Sequence, residues 1–260
     1  VSPLATLVAR RELLLSLVMR DLRARYAGSS AGLAWAAFNP VVHLAILTTV
    51  FSVVLQVRLG SDGAPFPVAL AWGFFPWLAF QEGVSRGTTA LVDGGQLVKR
   101  LALPPEILIA QPILAALAQE LVALLALIAV MPLLGVPIGP GLLLCALPLS
   151  AQVALTLGIG WILGVTHVYF RDTTQVVVAA LQAWFYLTPI VYPLELAPRA
   201  LQGLLAVNPL TGIVQGFRAF ALGGEVPWGG LLWSVICALA ALAAGATALG
   251  RARHEVADLV

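Results

Sequence analysis

Gly28-Ser29-Ser30-Ala31-Gly32 fits the G-x-S-x-G pattern, which presents a nucleophilic serine when it sits on a strand-to-helix elbow. Here the string opens an apolar helix, so the elbow is missing. A serine protease working inside a membrane would instead need a serine at depth, facing a histidine on another helix. Of His43, His167 and His254, His43 alone is expected at depth, and it shares the serine's helix. No cysteine–histidine cluster has the spacing of metal ligands, and Cys145 and Cys237 fall in apolar stretches as small packing residues. No G-x-x-x-x-G-K-[ST] string occurs, so the chain has no such loop to cradle ATP phosphates. Glu120 is a sharper signal, because it stands about fifteen residues into an apolar stretch that begins near Pro105. There it either faces a water-filled path or hydrogen-bonds a neighbouring helix, such as the region of Gln152. Glu82 and Arg86, four residues apart, can pair locally on one helix face.

These residues are embedded in a chain that is 60% hydrophobic and 10% charged, with a mean hydropathy of +0.98, which excludes an ordinary soluble domain. A helix needs about 20 apolar residues to cross the hydrocarbon core, so runs without charge can be read as spans. Residues 26–57, 63–81, 173–194 and 226–250 each lack Asp, Glu, Lys and Arg. The run 121–170 is long enough for two spans if it breaks at Gly135-Val136-Pro137-Ile138-Gly139-Pro140, a string with loop chemistry. With the earlier of these extended back to about Pro105, six spans result. Residues 1–26 scatter five arginines among leucines, so no cleavable signal peptide is expected. A net charge of +2 is too small to imply a nucleic-acid partner.

Six spans put both termini on one side. If that side is the cytoplasm, eleven of the fourteen Lys and Arg residues are inside, and Arg58, Arg199 and Arg218 are outside, in keeping with the positive-inside rule. Arg171-Asp172 sits between two long apolar runs and marks a tight turn at a membrane surface. The uncharged run 200–217 is broken by Gly203, Asn208-Pro209 and Gly212 into arms too short to cross, which favours a re-entrant or interfacial hairpin on the outer face over a seventh span.

In the N-terminal segment, Leu4, Leu7, Val8, Leu14, Leu15, Val18 and Leu22 fall on one helical arc, opposite Glu12, Ser16, Arg20 and Arg23. This predicts an amphipathic interfacial helix whose arginines meet lipid headgroups, or a helix packed on a partner protein. Arg11 lies within the apolar arc, and Leu13 and Leu17 interrupt the polar one. Gly160 and Gly164, like the Ala-rich stretch 238–248, have small-xxx-small spacing suited to close helix packing. Pro40, Pro112, Pro132, Pro148 and Pro189 are placed to kink or end spans. Trp35, Phe38, Trp77, Phe80, Trp184, Tyr186 and Tyr192 concentrate on the first, second and fifth spans. They either form interfacial belts or line a channel.

The string Val168-Tyr169-Phe170-Arg171-Asp172-Thr173-Thr174-Gln175 resembles the "FRD" turn of the permease subunits of ABC exporters that move polysaccharides, O-antigens and teichoic acids. The resemblance covers nearly the whole chain. It runs from Arg20-Asp21-Leu22-Arg23 through Asn39-Pro40, Gly73-Phe74-Phe75-Pro76-Trp77 and Leu97-Val98-Lys99-Arg100 to Thr188-Pro189-Ile190-Val191-Tyr192-Pro193 and Asn208-Pro209-Leu210. It implies an all-α polytopic permease domain over 1–260. Residues 1–26 would form the interfacial helix, 91–104 a cytoplasmic coupling segment and 193–227 an outer-face gate segment before the last span.

The resemblance further implies a homodimer with a channel between its copies, and two copies of a separate ATPase subunit that binds ATP and Mg. Its cargo would be a lipid-linked glycan, and its setting the lipids of a bacterial inner membrane with both termini cytoplasmic. Gln96, Leu97, Val98, Lys99 and Arg100 would dock on the ATPase, although Lys99 and Arg100 also suit an anionic-lipid anchor. Asn208, Pro209 and Arg218 would belong to the outer gate. Where the family commonly has Pro-Arg-Glu, this chain has Pro104-Pro105-Glu106. Two other readings are an exporter of drugs or small lipids and an intramembrane enzyme, either a serine protease or a glycolipid transferase. The enzyme reading lacks a Ser–His pair or paired carboxylates at matched depth.

Overall fold

The computed structural model describes residues 2–26, 34–59, 64–95 and 103–259, and their regular structure is all helix, with no strand among them. In chain order the helices are α1 (Pro3–Ala9), α2 (Arg11–Tyr26), α3 (Ala34–Thr48), α4 (Phe66–Asp93), α5 (Pro105–Val130), α6 (Ala146–Tyr169), α7 (Thr173–Tyr186), α8 (Arg199–Val207), α9 (Pro209–Leu222) and α10 (Trp228–Leu259). A π-helical stretch, Thr49–Val54, prolongs α3, and 3-10 turns at Met131–Leu134 and Pro140–Cys145 extend α5 and precede α6.

Local chemistry sets the ends. Ser2 caps α1 by accepting the Ala5 N–H at 3.2 Å, and Pro3 supplies a preset first-turn φ. Pro105 opens α5 in the same way. Gly135 and Gly223 both stand at φ +77°, the left-handed turn that ends the α5 extension and α9. The break expected at 135–140 is therefore present.

Among the described residues, three helical stretches, Pro105–Leu134, Pro140–Tyr169 and Trp228–Arg253, are long and apolar enough to cross a membrane, and Phe38–Val54 is a shorter apolar helix. Helix α4 differs because Trp72, Pro76, Trp77, Gln81 and Glu82 lower its hydropathy. It is nonetheless the centre of the molecule: eighteen of its 28 residues are buried, and α3, α5, α6, α7 and α9 all pack on it. A helix enclosed by protein has no need of a lipid-like surface. On the outside, Leu125, Leu133, Leu143, Leu232, Ile236 and Leu239 are among many exposed apolar side chains, a surface suited to lipid.

Helix α10 lies along α6, and the crossing depends on glycine. A Cβ on Gly158 would stand 2.3 Å from the Ala241 carbonyl carbon, and one on Gly245 would stand 2.4 Å from the Gly158 oxygen. Gly160 and Gly164 pack elsewhere, against Ile113 and Ile109 of α5. The small-residue faces thus serve two different partners.

Helix α2 packs on α5 of the same chain. Leu7, Leu14, Leu17 and Val18 are buried there, whereas Leu4, Val8 and Leu15 of the expected arc are exposed. The buried stripe is thus rotated towards Leu17, which the wheel had put on the polar side. Side-chain hydrophobicity alone gives the arc, but the partner surface fixes its centre.

Candidate functional site

Five aromatic residues on α4 and α7 form one continuous series. Trp77 and Phe80 on α4 touch each other with ring centroids 5.8 Å apart. Phe185 meets Trp77 at 5.6 Å and Trp184 meets Phe80 at 5.3 Å, both edge to face. Phe185 then passes the contact to Tyr186 at 5.1 Å. The series runs from the core to the surface: Phe80 is 0% and Trp77 2% exposed, while Tyr186 is 66% exposed. Trp77 donates its indole N–H to Gln81 at 2.9 Å. Tyr192 is half-buried and donates its hydroxyl to the Tyr186 carbonyl at 2.6 Å. Phe38 on α3 is 53% exposed. Trp35 belongs to the first turn of α3, and its side chain lies outside the described residues.

Asn208 joins α9 to this series with every donor and acceptor of its amide engaged. Its Oδ1 accepts the Trp184 indole N–H at 2.9 Å and caps α9 by accepting the Leu210 N–H at 3.0 Å. Its Nδ2 donates to the Leu187 carbonyl and to Thr188 Oγ1, both at 2.9 Å. Pro209 follows as the first residue of α9. Near the other end of α9, Arg218 donates to the Ala69 carbonyl at 2.9 Å, to the Pro189 carbonyl at 2.8 Å and to the Ile190 carbonyl. The guanidinium is held by backbone dipoles, so it fastens α9 to α4 and to the turn after α7. Asn208 and Arg218 therefore fasten both ends of one helix to the segment 184–190, while the Pro209 carbonyl accepts from Ser234 of α10 at 2.6 Å. Arg218, Gln215, Glu195 and Glu225 also line a cavity of about 580 Å³.

Two polar clusters lie in the other half of the bundle. Asp21 accepts two bonds from Arg86, at 2.7 and 2.9 Å. Arg25 donates to Asp21 at 3.2 Å, to Gln119 at 2.7 Å and to Glu82. The Glu82–Arg86 pair is present at 3.7 Å, but each partner is also held by α2. Sequence spacing showed the local pair and carried no signal for the α2 partners. Higher in α5, Glu120 accepts the Gln152 amide N–H at 2.6 Å, and the same nitrogen donates to the Pro76 carbonyl at 3.0 Å. That trio joins α4, α5 and α6.

The coupling residues Gln96, Leu97, Val98, Lys99 and Arg100 lie outside the described residues. Their flanks are described. Gly94 closes α4 by donating its N–H to the Ala90 carbonyl at 3.0 Å, against Leu108 of α5. On the far side, buried Glu106 pairs with Arg253 of α10, which also donates to Thr6 of α1 at 3.4 Å. Both flanks of the segment are thus anchored in the bundle. Arg171 and Asp172 are exposed in the turn between α6 and α7, where Thr173 donates to the Phe170 carbonyl at 2.6 Å. Among the described residues, no group of three or more His, Cys, Asp or Glu side chains is placed to hold a metal ion.

The chain is similar along most of its length to proteins of known naming. It is 28% identical over 253 residues to the O-antigen export system permease protein RfbA of Myxococcus xanthus, covering 94% of each chain. It is 26% identical over 216 residues to the protein of the same name from Klebsiella pneumoniae, covering 82% of this chain and 81% of that one. To the polysialic acid transport protein KpsM of Escherichia coli it is 27% identical over 215 residues, covering 82% and 83%. The family described as "ABC-2 type transporter" matches residues 12–222, from α2 through the end of α9, and so takes in the aromatic series, both polar clusters and the fastened α9. The chain belongs to the ABC-2 type transporter family.

Proposed function

We propose that this chain is the permease of an ATP-driven exporter that moves a lipid-linked polysaccharide across the bacterial inner membrane. The cargo would be an O-antigen, a capsule-like glycan or a teichoic acid. The observation that carries this is the alignment, over 94% of both chains, with a relative named as an O-antigen export permease. The permease works as a homodimer with two copies of a separate ATPase, which binds ATP and Mg. Six spans are proposed: α3 with its π-helical extension, α4, α5, α6, α7 and α10. Helices α8 and α9, divided at Asn208-Pro209 into two separate arms, form the hairpin of the outer gate. Both termini and the 91–104 segment face the cytoplasm, with Leu97 and its neighbours docked on the ATPase.

Within this arrangement, exposed Phe38 and Tyr186 face the channel between the two copies, with Trp184 and Tyr192 beside them. Buried Trp77 and Phe80 brace that wall from behind. Stacking on aromatic faces is tolerant of sugar identity, which suits a polymer that must slide. Cells depleted of the chain should lose the surface glycan and accumulate its lipid-linked form inside. Unaltered surface glycan in depleted cells would overturn the proposal. Cysteines placed near Ser2, Gly95, Thr173 and Ala257 should be shielded from external label, and those near Asp62, Gly139 and Leu222 should react. External labelling at 257 would require an odd number of spans.

A further inference from the structure

The buried stripe of α2 does not end with its apolar residues. Leu14, Leu17 and Val18 are buried on α5, and the same helical spacing carries the stripe on to Asp21 and Arg25, whose side chains are 15% and 20% exposed. These two charges face protein, whereas Arg20 and Arg23 are exposed.

With Glu82 and Arg86 of α4 they close a ring in which every charge meets two of opposite sign. Asp21 accepts from both Nη groups of Arg86, at 2.7 and 2.9 Å, and from the Arg25 Nε–H at 3.2 Å. Arg25 also donates to Glu82, and Glu82 stands 3.7 Å from Arg86. Ion pairs contribute most when they are bidentate, networked and partly buried, as the Asp21–Arg86 fork is.

The order of the charges fixes where α2 sits along its own axis. A slip of one turn one way would bring Arg25 to the place of Asp21, against Arg86. A slip the other way would bring Asp21 to the place of Arg25, against Glu82. Either move sets like charges together where opposite ones now meet. The apolar contacts hold α2 to the bundle, and the ring selects its register. Two chain connections give that register a consequence. About two turns beyond Arg86, α4 ends at Asp93 and runs into the 91–104 segment. Helix α2, for its part, leads on to α3, which carries exposed Phe38.

We infer that Asp21, Arg25, Glu82 and Arg86 are positioning residues for export. Their ring makes α2 travel with α4 when the ATPase displaces the 91–104 segment, and so carries that displacement to the start of α3. The inference rests on the exporter reading and extends it to residues outside the docking segment.

The test compares three variants with wild type, each as the full complex with its ATPase in liposomes carrying the lipid-linked glycan. Asp21→Asn opens the ring. Asp21→Arg with Arg25→Glu inverts α2 alone, and adding Glu82→Arg and Arg86→Asp inverts all four charges and restores their alternation. Hydrogen exchange over residues 11–26 should quicken about tenfold when α2 alone is inverted and return to within about threefold of wild type in the full inversion. Glycan moved per ATP hydrolysed should fall about fivefold or more in Asp21→Asn and in the α2 inversion, with ATP hydrolysis within about twofold of wild type, and should recover in the full inversion. A purely structural role would lower folded yield and both rates together and leave the ratio unmoved. An unchanged ratio in both ring-breaking variants, or a ratio still low in the full inversion once exchange has recovered, would overturn the role in export. Unaltered exchange in the α2 inversion would overturn the register lock. Asp21→Asn, which keeps the apolar contacts of α2, decides the case if the inverted chains do not assemble. A wild-type complex that hydrolyses ATP and moves no glycan loses the exporter reading, and the lock is then judged by exchange alone.

Discussion

Replacing Asn208 with Ala should loosen α9 from the turn after α7 without altering the rest of the bundle. The side chain makes four hydrogen bonds: it accepts from the Trp184 indole and the Leu210 N–H and donates to the Leu187 carbonyl and Thr188 Oγ1. Loss of the N-cap costs about 1 kcal/mol. The stranded indole N–H costs about another, and the two acceptors together about one more, because the Leu187 carbonyl can turn to solvent. The sum is about 3 kcal/mol, or roughly a hundredfold rise in local opening. Hydrogen exchange by mass spectrometry, on the protein in nanodiscs, should show this rise in peptides covering 184–212 and little change in α5 or α6. Asn208→Asp should fall between, since its Oδ1 keeps both accepted bonds while its second oxygen faces two acceptors in place of donating to them. Exchange over 184–212 within about threefold of wild type in Asn208→Ala would refute the clamp.

Gly158→Leu should abolish the close α6–α10 crossing, because its Cβ would stand 2.3 Å from backbone; the expected loss is at least about 3 kcal/mol, read as folded yield or melting temperature. Gly203→Ala, with nothing within 4 Å of its Cβ, should be neutral or stabilise α8 by up to about 1 kcal/mol. Arg253→Gln should destabilise more than the double change Glu106→Leu with Arg253→Met, because the single change leaves a buried carboxylate unpaired; the gap should be about 2 kcal/mol after allowance for the partial exposure of Arg253. Phe80→Ala should cost about 3–5 kcal/mol of stability, whereas Tyr186→Ala should leave stability near wild type and slow glycan export per assembled complex by a few-fold.

Much of the helical layout was legible because charge and loop chemistry punctuate it. The α5 start at Pro105, the break at Gly135 and the division of 199–222 at Asn208 all follow from residues with strong local preferences. What sequence could not give is partnership. The hydropathy of α4 hides its central place, since burial by neighbours relaxes the demand for apolar side chains. Leu17 looked like an error on a polar face until α5 supplied the surface that covers it. Asp21 and Arg25 stand 65 and 57 residues from the α4 groups they bind, beyond the reach of any spacing rule. Asn208 was legible as a break, but its four bonds depend on how the chain returns to Trp184. Glu120 was placed between a path and a helix contact, and the structure gives it both a Gln152 bond and a cavity wall.

The role proposed for this chain is the membrane path of a glycan exporter. Its most direct test is reconstitution of the chain with its ATPase in liposomes carrying the lipid-linked glycan, with lectin accessibility of the glycan read on the face opposite the ATPase. Lectin binding should rise with ATP and Mg and stay at background when the chain is omitted or carries Leu97→Asp, which puts a charge into the docking segment. Vigorous ATP hydrolysis by the assembled complex with no rise in lectin binding would contradict it.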